Sequence, residues 1–291
     1  MKLSLGDRVV SIAIIIIMAL LSAAFLLPFL LVVGSSLLTP GEYAARGMAF
    51  LPRHPTLDTY KILLVGREIW IAYGVSALRT LLGTVMNIVV SAMLAYGISK
   101  KDLPGRNIFI TLLFITMIFN GGLIPNYIIV SNLKLTDTIW CMLLPNLVNV
   151  WNVFVLRNFF NTIPEELKEA ATIDGASQGR IFRMIVLPLS KPALATISIY
   201  YAVAHWNSWF DAAIYLNKRT ELWPLQLIVR KYVQSADVNS LQSALVGGAQ
   251  RPPGMSVKCA VIVLVSLPML LIYPFLQKYF VKGVIMGSVK G

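Results

Sequence analysis

One short stretch of the sequence concentrates side chains that suit binding of a polyhydroxylated ligand. His205 and Trp206 are followed by Asn207, Trp209 and Asp211, all within or beside an apolar segment. Aromatic faces stack on sugar rings, and amide and carboxylate groups hydrogen-bond hydroxyls. Such groups inside an apolar span are functional candidates when they face a cavity. We therefore predict a substrate pathway here, with His205 itself fitting an interior histidine better than a proton relay.

Further candidates lie in other apolar stretches. Asn146 and Asn149 are three residues apart, so a helix places them on one face, and Asn120 precedes two glycines. Each candidate also has an ordinary explanation, because tryptophans anchor span ends at the interface and asparagines bond neighbouring helices. Arg79 either snorkels to a membrane face or faces the cavity, and the second case favours an acidic substrate.

The sequence offers little for catalysis. Its two histidines, His54 and His205, are too few for an acid–base or metal constellation within the apolar segments. Cys141 and Cys259 have neither metal-ligand spacing nor a disulfide framework. No Gly-x-x-x-x-Gly-Lys-Ser/Thr phosphate loop is present. We predict no catalytic residue, metal site or cofactor in this chain.

Composition identifies lipid as the solvent of this chain. Hydrophobic residues make up 57% of its 291 residues and charged residues 13%, against about 25% charged in soluble domains. No charge interrupts the stretch from Val9 to Val33, which is long enough to cross a bilayer. That stretch is too long for a signal-peptide core, and no small-residue cleavage site follows it cleanly.

The hydrophobic pattern predicts an all-α membrane protein, with residues 1–291 forming a single transmembrane domain. Helices are expected because lipid offers the backbone no hydrogen-bond partners. Asn120-Gly121-Gly122, followed by Pro125, predicts a break in the third span. The six predicted spans cover residues 9–37, 74–98, 107–131, 138–160, 188–216 and 258–280.

The basic residues of the short loops predict the orientation. The loop at 99–106 carries three of them, whereas the next loop holds only Lys134, opposed by Asp137. The positive-inside rule then places 99–106 and both termini in the cytoplasm. The outward loops are also basic, which either attracts an anionic solute or acidic partner, or is solvated loop charge. No basic, aromatic-interleaved module indicates nucleic-acid binding.

The segment 164–187 is cytoplasmic in this topology and predicts two short helices. Pro164 suits a first helical position, and Asp174-Gly175 is a turn signal. The second helix, about 177–185, is expected to stop before Pro188.

The surface of this segment is typical of a docking site. Ala170, Ala171 and Gly175 are small, so another protein could approach the backbone closely. Glu169 and Asp174 flank them and could fix the register through charge-assisted hydrogen bonds. We interpret the segment as a docking knob for a partner protein.

The segment resembles the signature of a known family. Glu169-Ala170-Ala171 is followed after three residues by Gly175, and after nine more by Ile185-Val186-Leu187-Pro188. This spacing is similar to the cytoplasmic motif of integral-membrane subunits of type I ABC importers of the maltose-permease kind. The resemblance extends from about residue 74 to the end. The tail at 280–291 resembles carbohydrate-importer permeases, and 120–125 resembles a subgroup associated with complex or polymeric sugars.

The resemblance implies a location in a bacterial inner membrane and a set of partners. A second permease subunit, usually a different chain, would pair with this one, and two ATPase subunits holding ATP and Mg would dock through the coupling helices. An extracytoplasmic solute-binding protein would deliver a carbohydrate, which we expect to be an oligosaccharide, with an acidic uronate or alginate-like oligomer favoured. The mechanical joint would comprise Glu169, Ala170, Ala171, Asp174 and Gly175, with no chemistry performed in this chain.

The alternative function is an ion-coupled secondary transporter. Such proteins normally show internal repeats and membrane-buried coupling carboxylates. The predicted spans offer only Asp211, near the end of one of them. Co-purification of an ATPase subunit would distinguish the two.

Overall fold

A computed structural model describes residues 5–234 and 254–288, with side chains described for 6–234 and 254–271. Every regular element in these ranges is helical, which confirms the all-α prediction. A π-helical turn spans Phe182–Val186, and a 3-10 turn spans Thr220–Leu222. The helices are α1 Leu5–Ser36, α2 Pro40–Arg46, α3 Asp58–Val65, α4 Arg67–Ser99, α5 Arg106–Ile118, α6 Leu123–Asn132, α7 Trp140–Leu143, α8 Val150–Phe160, α9 Glu165–Ile173, α10 Gln178–Ile181, α11 Leu187–Leu189, α12 Lys191–Asn207, α13 Phe210–Tyr215, α14 Leu225–Gln234 and α15 Gly254–Ser288.

Three of the described helices are long and apolar enough to cross a membrane, over Gly6–Ser36, Arg67–Ser99 and Gly254–Leu271. They correspond to the first, second and sixth predicted spans. Along α1 the large apolar side chains from Val9 to Leu30 are exposed, apart from half-buried Phe29, as lipid-facing side chains are.

The third predicted span is broken where the sequence indicated. Helices α5 and α6 meet at 114° across residues 119–122. Gly122 has φ +85°, a conformation that favours glycine, and its N–H donates to Asn120 Oδ1 at 2.9 Å. The asparagine side chain therefore stabilises the turn at the break.

The fourth predicted span, 138–160, is wrong as a continuous helix. Helix α7 ends at Leu143 and α8 begins at Val150. Pro145 lies between them and cannot donate a helical hydrogen bond. Asn149 then caps the new helix, because its Oδ1 accepts from Asn152 N at 3.1 Å. The count of six spans is therefore approximate: three helices qualify alone, and up to five if each bent pair is counted as one span.

The sequence predicted that the second helix of the cytoplasmic segment stops before Pro188. This prediction is wrong. The helix continues from α10 through the π-helical turn into α11, and the chain bends by 82° only at Ser190. The wider π turn changes the hydrogen-bond register just before the proline, which has no N–H to donate. The fifth predicted span, 188–216, is also interrupted, at Ser208-Trp209 between α12 and α13.

The described chain forms two compact units, one of residues 1–69 and 229–269 and the other of 70–228 and 270–291. In the first, Gly34 packs on a returning loop so closely that a Cβ would lie 2.2 Å from the Phe50 carbonyl oxygen. The second unit contains both candidate sites described below. Its larger core joins α4, α8, α10 and α12 through buried side chains that include Ala95, Phe160 and Ile197. The description of 1–291 as a single domain stays a prediction.

Candidate functional site

The cytoplasmic segment begins with a helix whose end requires glycine. At the C-terminus of α9, Ala176 N donates to Ala171 O at 2.9 Å and Gly175 N donates to Thr172 O at 3.0 Å, which is a Schellman motif. Gly175 has φ +77°, and a Cβ there would meet no atom within 4 Å. The backbone conformation rather than a contact within the chain therefore requires glycine.

Most of the predicted coupling residues face outward. Glu169 and Ala170 are exposed, as are Asp174 and Gly175 at the turn. Ala171 is half-buried and packs against the core of the unit, as does Ala176 beyond the turn. The small residues thus serve two purposes, since some leave an accessible outer surface and others allow α9 to lie close to the core.

An exposed isoleucine in this segment escaped the sequence analysis. Ile173, the last residue of α9, is 86% exposed, and Leu167 is also exposed on the same helix. Six positions separate these two side chains, so they lie on different faces of α9, and Ile173 is exposed by itself beside the turn. The available signal was an isoleucine beside a turn, in a helix whose one other large apolar residue is Leu167.

The core holds the cytoplasmic segment firmly against three other helices. Ile181 and Val186 are fully buried together with Ile98 of α4, Leu156 of α8 and Ile197 of α12. Lys100 Nζ also donates to Gln178 Oε1 at 2.5 Å. Because packed cores resist compression, a displacement of the segment is transmitted to α4, α8 and α12.

A buried ion pair lies at the break in the fifth predicted span. Arg79 of α4 is 1% exposed and Asp211 of α13 is 8% exposed. Arg79 Nη1 donates to Asp211 Oδ1 at 3.1 Å, while Nη2 pairs with Oδ2. This two-pronged geometry offsets part of the cost of removing both charges from water.

The ion pair also completes the hydrogen bonds of the broken span. Helix α12 ends at Asn207, and Arg79 Nη1 donates to the free Ser208 carbonyl at 3.2 Å. Asp211 lies in the first turn of α13 and accepts from Ser208 Oγ at 3.2 Å. A cation at a helix C-terminus and an anion at an N-terminus both match the helix dipoles. Arg79 therefore neither snorkels nor presents a free charge to a cavity in this conformation.

His205 belongs to a hydrogen-bonded interior, as the sequence indicated. Asn87 Nδ2 donates to the Asn146 carbonyl at 2.7 Å, so its Oδ1 accepts from His205 Nε2 at 3.0 Å. The imidazole ring lies directly on the backbone of α4, where a Cβ at Gly83 would be 2.3 Å from Nε2. Helices α4 and α12 therefore cross at Gly83 and His205.

The other candidates of the fifth span divide between interior and surface. Trp206 is buried against Tyr73, with ring centroids 6.3 Å apart, and its Nε1 has no partner among the described residues. Asn207 is exposed, and its Oδ1 accepts from Gln226 at 3.4 Å. Trp209 is half-buried and meets Phe210 edge to face. Trp206 and Asp211 are therefore buried in the interior, whereas Asn207 is accessible.

The three remaining asparagine candidates are exposed. Asn120 and Asn149 use their Oδ1 atoms within their own turns, at the break after α5 and at the start of α8. Asn146 contributes its backbone carbonyl to Asn87. Their contact with a substrate stays a prediction.

Comparison with known proteins decides the family. Residues 105–286 match the family described as "Binding-protein-dependent transport system inner membrane component". This range contains the whole cytoplasmic segment and the Asp211 half of the ion pair. The chain belongs to this family.

Individual relatives cover nearly the whole permease. Protein LplC of Bacillus subtilis is 39% identical over 286 residues, which are 98% of this chain and 96% of that protein. The polygalacturonan/rhamnogalacturonan transport system permease protein YtcP of the same organism is 40% identical over 265 residues, 91% of this chain and 92% of that protein. These matches confirm the resemblance to sugar importer permeases.

A solved structure shares the fold of the permease. It is a bacterial ABC transporter involved in the import of the acidic polysaccharide alginate, and the match has a TM-score of 0.88 at 29% identity. The aligned region covers 96% of this chain and 99% of that chain. The permease is thus an inner-membrane transport component. Within the described ranges, no group of His, Cys, Asp or Glu side chains could hold a metal ion.

Proposed function

We propose that this permease imports an oligosaccharide together with a second permease subunit, two ATPase subunits that hold ATP and Mg, and an extracytoplasmic solute-binding protein. The observation that carries the proposal is the surface of the cytoplasmic segment. Ala170 and Ile173 are exposed beside Gly175, on a helix whose other side is packed into the core. A rigidly anchored segment with an exposed apolar tip suits the docking of a partner that pushes on it.

The segment couples the partner mechanically to the membrane helices. Closing of the ATPase pair would press on α9, and the buried contacts of Ile181 and Val186 would pass the displacement to α4, α8 and α12. The residues in contact with the ATPase would be Glu169, Ala170, Asp174, Gly175 and, from the structure, Ile173, while Ala171 supports them from beneath.

The substrate that we propose is an acidic oligosaccharide. The relative YtcP is named for polygalacturonan and rhamnogalacturonan, and the structural relative imports alginate. Arg79 does not supply the selectivity in this conformation, because Asp211 neutralises it. Selectivity would instead come from the basic outward loops, which include Arg53 and Lys134.

Exposed polar residues are the proposed substrate contacts. Asn146 and Asn207 are accessible and present amide groups, and half-buried Trp209 presents a ring edge. Asn120 and Asn149 would contribute only the capacity left after their turns are bonded. Trp206 and Asp211 would act by holding α12 and α13 in place.

We further propose that both termini and the cytoplasmic segment lie on the same side of the inner membrane. The basic residues of 99–106 support this orientation. Lys101 in that loop pairs with Glu165 of α9 at 3.4 Å, so the loop and the docking helix must share a side.

ATPase activity of the assembled transporter in liposomes tests the proposal. The extracytoplasmic solute-binding protein would be added with matched neutral and acidic oligosaccharides. We expect acidic oligosaccharides to stimulate ATP hydrolysis and neutral ones not to. Stimulation by neutral sugars alone would contradict the acidic substrate, and absence of any associated ATPase would favour ion-coupled transport.

A further inference from the structure

Two arginines converge on one backbone oxygen at the end of α4. Arg106, the first residue of α5, donates from Nε to the Ile98 carbonyl at 3.0 Å, and Arg157 of α8 donates from Nε to the same oxygen at 3.3 Å. Both arginines are half-buried. Within the described ranges neither forms an ion pair with a carboxylate. Two like charges therefore stand side by side, and an anion would relieve their repulsion.

A groove of about 430 Å3 lies between α5 and α8 and is lined by Arg157 of this pair but not by Arg106. Its one charged lining residue, Arg157, lies at one end beside Asn158, and the rest of the lining is aromatic or aliphatic apart from Thr111. Phe154 lies one helical turn from Arg157, and Phe114 lies about 12 Å along α5 from Arg106 at 1.5 Å per residue. The lining residues are Ile110, Thr111, Phe114, Phe154, Arg157 and Asn158.

The charged end of the groove and its apolar remainder match the two levels of a membrane leaflet, the head groups and the acyl chains. In the proposed topology α5 enters the membrane from the cytoplasm at Arg106 and α8 returns to it at Phe160. The arginines then lie at the level of lipid head groups, and Phe114 and Phe154 lie at the level of acyl chains.

We infer that this groove binds an anionic phospholipid of the cytoplasmic leaflet. Its phosphate would contact Arg106 and Arg157, whose terminal nitrogens remain available because only Nε is used for Ile98. One acyl chain would lie along Phe114 and Phe154. Basic pockets between membrane helices on the cytoplasmic side bind such head groups. The inference rests on the orientation given under the proposed function.

The surroundings of the groove favour lipid over a protein partner. Ile108, Phe109 and Leu112 of α5 are exposed beside it. Protein interfaces usually have a polar rim around an apolar centre. Here the one charged lining residue, Arg157, lies at one end instead, which fits the head and tail of a lipid.

Native mass spectrometry of the full chain, purified with the subunits that it retains, tests the inference. Phosphatidylglycerol and phosphatidylcholine of identical chains would be titrated against the wild type, Arg106→Gln/Arg157→Gln and the control Arg53→Gln, which removes an exposed arginine elsewhere. We expect about tenfold weaker phosphatidylglycerol binding in the double variant alone, and no change with phosphatidylcholine. Equal phosphatidylglycerol binding by all three proteins would overturn the inference.

A second pair of variants keeps the two arginines intact. Thr111→Trp would fill the groove, whereas Thr116→Trp lies on another face of α5. Lipid retention should fall severalfold only with Thr111→Trp. Efficient cross-linking of a cysteine at position 111 to the second permease subunit would overturn the inference, since a protein would then cover the groove. None of these readouts depends on transport or ATP hydrolysis, so failure of the proposed function would be recognised separately.

Discussion

The cytoplasmic segment and the Arg79–Asp211 pair lie in the same compact unit but differ in burial and in the sequence separation of their contacts. Most of the predicted coupling residues of the segment are exposed. The hydrogen bonds that form its turn join residues close in sequence, such as Ala171 and Ala176. The ion pair hides two charges and joins residues 132 positions apart. We therefore propose the first as a surface for association, whereas the second stabilises the interruption in the fifth predicted span.

This difference separates two kinds of mutational effect. Substitutions on the exposed segment should change binding of a partner and alter the free energy of unfolding by no more than about 1 kcal/mol. Substitutions at the buried pair should act first on stability, because a remaining charge would be left without its counter-charge. The variants below test that separation.

The largest effect is expected for Asp211→Ala. Arg79 would keep its charge in a buried site, which costs about 3–5 kcal/mol in free energy of unfolding. Thermal unfolding in detergent would measure the loss. The double variant Arg79→Met/Asp211→Leu removes both charges and should recover most of the stability. Identical unfolding of Asp211→Ala and the wild type would show that the pair has no structural role.

A smaller loss is expected where α4 and α12 cross. Gly83→Ala places a Cβ against His205, which must move and lose its bond to Asn87, at a cost of about 1–3 kcal/mol. Gly74→Ala on the same helix meets nothing within 4 Å and should be stabilising by about 0.5–1 kcal/mol. Urea unfolding of the two variants should therefore shift in opposite directions, and equal shifts would contradict the close crossing.

Substitution of Ile173 on the exposed segment is expected to change binding of the ATPase. Ile173→Asp should weaken retention of the ATPase by about tenfold or more, because burial of one isoleucine contributes about 1.5–3 kcal/mol. Val65→Asp changes another isolated apolar side chain, 83% exposed on α3, and serves as the control. Co-purification at graded salt and detergent would measure retention. Equal losses in both variants would indicate a general effect of added charge.

The smallest effect is expected for Gly175→Ala. The positive φ at this position costs an alanine about 1 kcal/mol, and Gly175→Asn should cost less because asparagine tolerates that conformation. Hydrogen exchange at the end of α9 would detect the fraying. Unchanged protection in Gly175→Ala would mean that the turn adapts without the left-handed residue.

The local features were predictable from sequence because short-range chemistry determines them. The turn at Gly175 follows from an Asp-Gly pair after a helix, and the break after α5 follows from Asn120-Gly121-Gly122. Both are set by residues within one helical turn. The spacing through Leu187-Pro188 then identified the family.

The features that the sequence analysis missed depend on distant residues or on burial. Nothing local indicated that Arg79 and Asp211 meet, because a long-range contact leaves no periodic signal in a single sequence. The interruption at Pro145 was hidden because the surrounding residues are apolar enough to resemble one continuous span. The exposure of Ile173 required the three-dimensional structure, since its apolar character alone suggested burial.

Recovery of the ATPase with Gly175→Arg, compared with Gly175→Ala, tests the docking role of the cytoplasmic segment most directly. Both variants carry the same backbone strain, and only arginine adds a long charged side chain to the open surface. We predict that Gly175→Ala retains the ATPase and that Gly175→Arg loses it while its membrane insertion and thermal unfolding match those of Gly175→Ala. Wild-type ATPase recovery and uptake with Gly175→Arg would contradict the assignment of this segment as the docking joint.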